Sequence, residues 1–257
     1  MIIHSNSEIN SSAELGKDVR VGPFSTIGPG VTIGDRTEIG PNVFIEAGTS
    51  VGADCRIFHG ASIGGDPQIA GVRDIVSSVA IEDKTTVREF VTIHRSAKEN
   101  EKTIVGKRCL LMAYAHIAHD CVVGNENVFA NTASLAGHVT VGNNVILGAV
   151  TLVHQFCSLG DFSFTGLNTL ITMDVPAFVK VASNPARPIG LNIVGMQRNN
   201  FDNDSVNLIK KAYRIIYRKG YSIKDAIKHL YALNQDKNPA LITFISSIER
   251  SERGLLR

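Results

Sequence analysis

Counting in sixes from Leu15 to Ile171 passes 27 positions, and all but Glu99, Phe129 and Thr165 are Ile, Leu or Val. Glycine follows directly at Gly16, Gly22, Gly28, Gly34 and Gly40. Four residues after the aliphatic position stands a small or β-branched residue, as at Val19, Val31, Thr37, Ala61, Ala115 and Val139. A period of six is three times the side-chain period of a strand, so each repeat holds one short strand and one turn and sends the same two columns inward. Chained repeats of this kind coil as a parallel β-helix, three repeats closing one triangular coil. The span from 13 to about 178 then holds roughly nine coils. Period does not set the hand; the rule for parallel crossovers would make it right-handed. Each buried aliphatic contributes about 1.5–3 kcal/mol before entropy is subtracted, so the stacked column carries the stability.

Composition agrees with a repetitive interior: 23 glycines stand against no tryptophan. With 257 residues, 44% hydrophobic, 19% charged and a net charge of +2, the chain is neither a disordered polyelectrolyte nor a membrane bundle. No apolar run reaches the roughly 18 residues of a transmembrane segment, and the start Met1-Ile2-Ile3-His4-Ser5 lacks a basic flank followed by an apolar stretch. A cytoplasmic protein is expected, with no nucleic-acid partner. All four cysteines, Cys55, Cys109, Cys121 and Cys157, fall in the small inward column, which predicts buried reduced thiols rather than disulfides or thiolate metal ligands.

Two segments break the glycine rhythm, at about 65–78 and 95–103, and read as loops extruded from the coils, where the walls of a site would form. The predicted division is a β-helix over 1–188 and a helical domain over 189–257. In the latter, Asp204 or Ser205 can cap a helix ending near Gly220, Ser222 and Asp225 resemble a capping box, and Asn238-Pro239 opens a third helix. Residues 197–257 hold twelve Lys plus Arg and six Asp plus Glu, a net of +6, which leaves −4 for the rest of a chain whose total is +2. Such a basic cap fits either a solvated helix face or an acidic partner such as a carrier protein or a nucleotide phosphate.

Four of eight histidines, His116, His119, His138 and His154, cluster in otherwise aliphatic coil. The steps from His119 to His138 and from His138 to His154 are each close to one coil, so the expectation is a stack on one face, near Asp120 and Gln155. Neutral imidazoles could hold zinc in an open three-histidine site. Alternatively a histidine titrating near 6.5 could take a proton from an attacking hydroxyl without any metal. Without a ready carboxylate or thiolate nucleophile beside the histidines, direct attack by a bound hydroxyl is the simpler mechanism, and acyl transfer to an alcohol fits best.

The strings Val91-Thr92-Ile93-His94-Arg95, Ala115-His116-Ile117-Ala118-His119-Asp120-Cys121, Leu135-Ala136-Gly137-His138-Val139, His154-Gln155-Phe156-Cys157 and Arg253-Gly254-Leu255-Leu256-Arg257 closely resemble the UDP-N-acetylglucosamine O-acyltransferase family, which opens lipid A biosynthesis. The similarity covers essentially the whole chain. It implies a left-handed parallel β-helix with a C-terminal α-helical domain, a homotrimer with sites between subunits, and an acyl carrier protein bearing a 3-hydroxyacyl thioester as donor. Carried over by position, His119 would be the base, Asp120 would orient it, and the Gly137 N–H would meet the oxyanion. His116 and His138 would position sugar and pantetheine. His154, Gln155, Asn192 and Arg198 would contact the nucleotide sugar, with Gln68 in the first loop also binding substrate. No cofactor and no metal are implied.

Several positions depart from the family pattern. Pro67-Gln68-Ile69-Ala70-Gly71-Val72 stands where Pro-Gln-Asp-x-Lys-Tyr is usual, so an acid and a base are gone. Asn199 and Val194 replace an arginine and a glutamate that can occur near the nucleotide. Leu167 occupies the acyl-ruler position where long-chain members place glycine, which predicts a shorter acyl group. The alternatives are a related acyltransferase using a modified UDP-sugar with a 3-amino acceptor, the sugar N-acyltransferase acting later in the pathway, a γ-type carbonic anhydrase, and a non-catalytic scaffold. The later N-acyltransferase usually adds an N-terminal uridine-binding domain, for which a frame starting by Leu15 leaves little room.

Overall fold

Pairs such as Thr26–Ile27, Thr32–Ile33 and Glu38–Ile39 form two-residue strands in which the second side chain is buried and the first lies outside. The aliphatic column is thus the inner face of each strand. The computed structural model describes every residue except Arg73, Asp74 and Gln235. Strands stack in parallel into three sheets of 11, 9 and 8 members, the three faces of a prism. The first face begins at Ile2–Ile3, which pairs with Arg20–Val21, so coiling starts two repeats before the expected Leu15. Its final strand, Arg187–Leu191, runs antiparallel to Val179–Ala182 and ends the winding.

The small column closes the interior. Val19, Val31, Thr37, Ala61, Ala115 and Val139 are all fully buried, as are Ile63, Ile93, Ile117 and Leu135 of the aliphatic column. Every cysteine is buried and free, and burial pushes the Cys121 thiol up to about 12, which keeps it protonated and inert.

Pairing shows where the coil is interrupted. Val51 pairs with Ile81 and Ile81 with Val105, whereas an undisturbed coil pairs Ile3 with Val21. Against that shorter step the first insertion adds two whole repeats and the second adds one, so a count in sixes runs through both unbroken. Ile69, Ile75 and Glu99 share the frame by number only, and none is buried. Strands stop at Gly65 and resume at Ser78, then stop at His94 and resume at Lys102. Both insertions leave from the corner between the second and third faces.

Four helices follow: α1 (Ile193–Arg198), α2 (Asn203–Arg218), α3 (Ile223–Leu233) and α4 (Pro239–Glu249). Helix α2 is capped by Asp202, which accepts from the Ser205 N–H at 2.6 Å, not by Asp204 or Ser205, because the extended φ/ψ of a cap lies at 202. Ser222 and Asn238 cap α3 and α4 as the sequence predicts. The single short turn of α1 leaves no periodic signal. The chain's end is fastened back to the solenoid at Asp174, which is 2% exposed. Its Oδ1 accepts from the Ser158 N–H, and its Oδ2 accepts from the Ser251 hydroxyl and the Glu252 and Arg253 N–H groups. Among the described residues no helix is long and apolar enough to cross a membrane.

Candidate functional site

The corner that extrudes both loops also holds the chemistry. On three successive coils its turn residue in the left-handed region is Asp120, then His138, then Phe156, at φ of 60°, 60° and 65°. Before each stands His119, Gly137 and Gln155. The coils are locked together there by His138 N–H to His119 C=O at 3.0 Å and Phe156 N–H to Gly137 C=O at 3.1 Å.

His119 Nδ1 lies 2.6 Å from Asp120 Oδ2. Asp120 Oδ1 accepts from the Ser96 hydroxyl at 2.5 Å, Oδ2 faces the Ala97 N–H at 3.3 Å, and the Asp120 N–H donates to Thr103 Oγ1 at 2.9 Å. Burial alone would raise the Asp120 pKa, but the bonds from Ser96 and His119 outweigh it and hold the carboxyl below its ordinary range, so it is ionised at neutral pH. His138 Nε2 sits 3.6 Å from the same Oδ2, its ring edge-on to His119 at 5.1 Å and stacked on Phe156 at 4.7 Å. Burial lowers the His138 pKa against the opposing pull of Asp120. His119 Nε2 has no hydrogen-bond partner among the described residues and lies over Gly137, where a Cβ would come within 2.6 Å of it. Gly137 is buried, and its N–H finds no acceptor among the described residues. A carboxylate thus holds one ring nitrogen, the other stays open, and an unpaired buried N–H lies beside it. That arrangement can take a proton and meet an oxyanion.

The histidines do not form one stack, because the step from His119 to His138 overshoots a coil by one position and the step from His138 to His154 falls two short. His116 lies on a strand of the second face, its Nδ1 2.7 Å from Thr92 Oγ1 and its ring 5.3 Å from that of His94. Burial, aided by His94 and His119, pushes its pKa down to about 4. His154 shares its column with Ala118 and Ala136 and is exposed, with the Arg253 guanidinium 3.3 Å from Nδ1. Gln155, also exposed, continues the column of His119 and Gly137. Among the described residues of one chain, His154 therefore does not join His119 and His138 in a three-histidine site. The donors that do converge, His119, Asp120 and His138, lie within 4.8 Å of one another, and the carboxylate oxygens are already engaged by Ser96, Ala97 and His119.

Gln68 is exposed on the first loop at the same corner. The loops are joined by an Arg95–Asp66 ion pair of 2.6 Å and by the Ser77 hydroxyl donating to the Ser96 carbonyl at 2.5 Å. Three other sequence-derived site residues lie elsewhere. Leu167, 71% exposed, projects from the corner between the first and second faces. Asn192 caps α1, accepting from the Gly195 N–H and donating to the Phe162 carbonyl. It lines a cavity of about 290 Å³ with Arg198, Glu126, Asn144 and Lys180 beside the first face, opposite the His119 corner. One chain does not bring these groups to His119. The sequence assigns no role to Ser96, Thr103, Phe156 or Arg253, although the last two stand in its motif strings; the one-coil interval that carries Asp120 to His138 and on to Phe156 points to the third.

Residues 174–256 match the second domain of the UDP-N-acetylglucosamine O-acyltransferase family, and residues 12–47 match the six-repeat bacterial transferase hexapeptide. The acyl-[acyl-carrier-protein]--UDP-N-acetylglucosamine O-acyltransferase of Halorhodospira halophila is 45% identical over 257 residues, 99% of each chain. The chain belongs to the UDP-N-acetylglucosamine O-acyltransferase family. Solved structures of family members agree in full: the Moraxella catarrhalis enzyme superimposes with a TM-score of 0.96 at 38% identity, and the Arabidopsis enzyme with 0.87 at 31%, each over 100% of both chains. The resemblance read from the histidine motifs thus holds over the fold as a whole.

Proposed function

We propose that the protein transfers a 3-hydroxyacyl group from acyl carrier protein to the 3-hydroxyl of UDP-N-acetylglucosamine, the first step of lipid A biosynthesis. The observation that carries this reading is His119, fixed at Nδ1 by Asp120 and open at Nε2 above Gly137. The sugar hydroxyl attacks the thioester carbonyl as Nε2 takes its proton, a contribution of about 10²–10⁴ in rate. Asp120 stabilises the resulting imidazolium, and the Gly137 N–H meets the oxyanion, worth about a further 10²–10³. The tetrahedral intermediate then expels the pantetheine thiolate, which recovers the proton from His119. Thioester activation makes a metal or cofactor unnecessary.

His116, His138 and Gln68 share the corner or the adjoining strand and position sugar and pantetheine; His154 and Gln155 extend the site along later coils. Asn192, Arg198 and Leu167 face away from this corner, so a homotrimer that sets one copy's first-face region against the next copy's His119 corner completes the nucleotide and acyl sites. The solenoid over 1–188 supplies the chemistry and the helical region over 189–257 its closing end, in a cytoplasmic enzyme. The exposed Ile69 and the neutral Gly71, standing where the family carries charge, favour a second reading in which the acceptor is a 3-amino UDP-sugar. Leu167 favours a shortened acyl group. Incubation with acyl carrier proteins of graded chain length and with each acceptor separates these. His119→Ala should lower kcat by about 10²–10⁴ with an unchanged melting temperature; retained turnover would exclude the base assignment.

A further inference from the structure

The loop 95–101 reaches into the dyad through one fully buried side chain. Ser96 is 0% exposed, and its hydroxyl donates to Asp120 Oδ1 at 2.5 Å. The same oxygen accepts the Lys98 N–H at 3.0 Å, which leaves its single proton free for the carboxylate; the approach to the Lys98 carbonyl, at 3.4 Å, is too long to compete. The Ser96 carbonyl accepts the Ser77 hydroxyl at 2.5 Å, so the backbone of Ser96 is tied to the first loop while its hydroxyl is held by the Lys98 N–H of its own loop. Asp120 Oδ2 therefore meets His119 of its own coil and the Ala97 N–H of the loop, while Oδ1 is held by the Ser96 hydroxyl of that loop. A carboxylate bound through one oxygen alone can swing about its Cβ–Cγ bond. Bound through both, its plane is set, and with it the direction in which Nδ1, and hence the opposite Nε2, points. Among the described residues, the other charged or titratable group against the carboxylate is His138, at 3.6 Å.

We propose that Ser96 is a positioning residue for the transfer reaction, acting through Asp120 to aim the His119 imidazole and linking that aim to the first loop through Ser77. The inference rests on the reading of His119 as the base. It concerns preorganisation rather than binding, so it predicts a loss confined to turnover.

The test is steady-state kinetics of the full-length enzyme with both substrates varied, for Ser96→Ala, Ser96→Thr and, as the reference arm, His119→Ala. Ser96→Ala should lower kcat about tenfold with both KM values within about twofold of the parent, and Ser96→Thr, which restores a hydroxyl, should recover most of that loss. Nitrogen-15 NMR of labelled imidazole should show the His119 Nδ1–H signal, sharp in the parent, broadened or shifted in Ser96→Ala and restored in Ser96→Thr. Unchanged kcat in Ser96→Ala, equal losses in the Ala and Thr variants, or an undisturbed His119 signal would overturn the proposal. If Ser96→Ala destabilises the loop, the NMR comparison of parent and Ser96→Thr against Ser77→Ala reads the same coupling. Silence of Ser96→Ala beside an inactive His119→Ala defeats this inference alone; an active His119→Ala defeats the base assignment beneath it.

Discussion

Gly137→Ala tests the geometry of the dyad without removing any functional group. The Gly137 φ lies outside the left-handed region, so alanine is compatible with its backbone, and the N–H proposed for the oxyanion is kept. The added methyl would fall 2.6 Å from His119 Nε2 and 3.1 Å from Nδ1, where ordinary contacts are 3.4–4 Å. The ring must therefore move by about 1 Å. Moving it stretches the 2.6 Å Nδ1 contact with Asp120, a charge-assisted hydrogen bond worth about 1.5–3 kcal/mol, and displaces Nε2 from the hydroxyl it is to deprotonate. A misplacement of about 1 Å costs on the order of 10² in rate, so kcat should fall about 10²- to 10³-fold. Folding should hardly register it, since the gain of about 0.4–1 kcal/mol from a less flexible unfolded chain offsets part of the crowding. Turnover would be followed as acyl-sugar formation, with the melting temperature measured in parallel. Kinetics within about threefold of the parent would refute the idea that ring position over Gly137 governs catalysis.

Ile57→Asp places an unpaired carboxylate at a site 2% exposed and should leave no folded protein by circular dichroism at 25 °C. Asp174→Ala removes the carboxylate that three N–H groups and a hydroxyl bond, each such bond to a charged group being worth about 1.5–3 kcal/mol before water replaces it, so residues 251–257 should lose hydrogen-exchange protection before the coils do. Burial holds the folded His116 pKa down to about 4 against 6.5 for the unfolded chain, which therefore binds more protons between those limits. Stability from this site is complete above about pH 6.5 and is lost as pH falls toward about 4, so His116→Asn should flatten the fall in melting temperature between about pH 7 and about pH 4.5; an identical slope would contradict it.

Most of the fold was legible because the interior accepts only one class of side chain at each of two columns. Val19, Cys55, Ile57 and Ala115 could be placed from spacing alone. The insertions were located and bounded by their broken glycine rhythm, although lengths of two repeats and of one keep Ile69, Ile75 and Glu99 in numerical step. The site was partly legible. Residue type drew attention to His119, Asp120 and His138, and the family resemblance to Gly137, and these converge. Their register was readable in principle, since Asp120, His138 and Phe156 recur at whole-coil intervals, but the near-coil steps between the histidines pointed to a stack instead. Ser96 escaped notice because its position depends on how a loop folds back, and loops carry no period. Asn192 gave no sign of capping a helix as short as α1.

At the corner between the second and third faces, the left-handed turn position recurs with the same backbone whether it carries a carboxylate, an imidazole or a phenyl ring. The walls of the prism and the inscription along its edge are thus set by separate letters of each six-residue word. A new catalytic chemistry could be written along that edge, one coil at a time, without reopening the interior that keeps the coils in step.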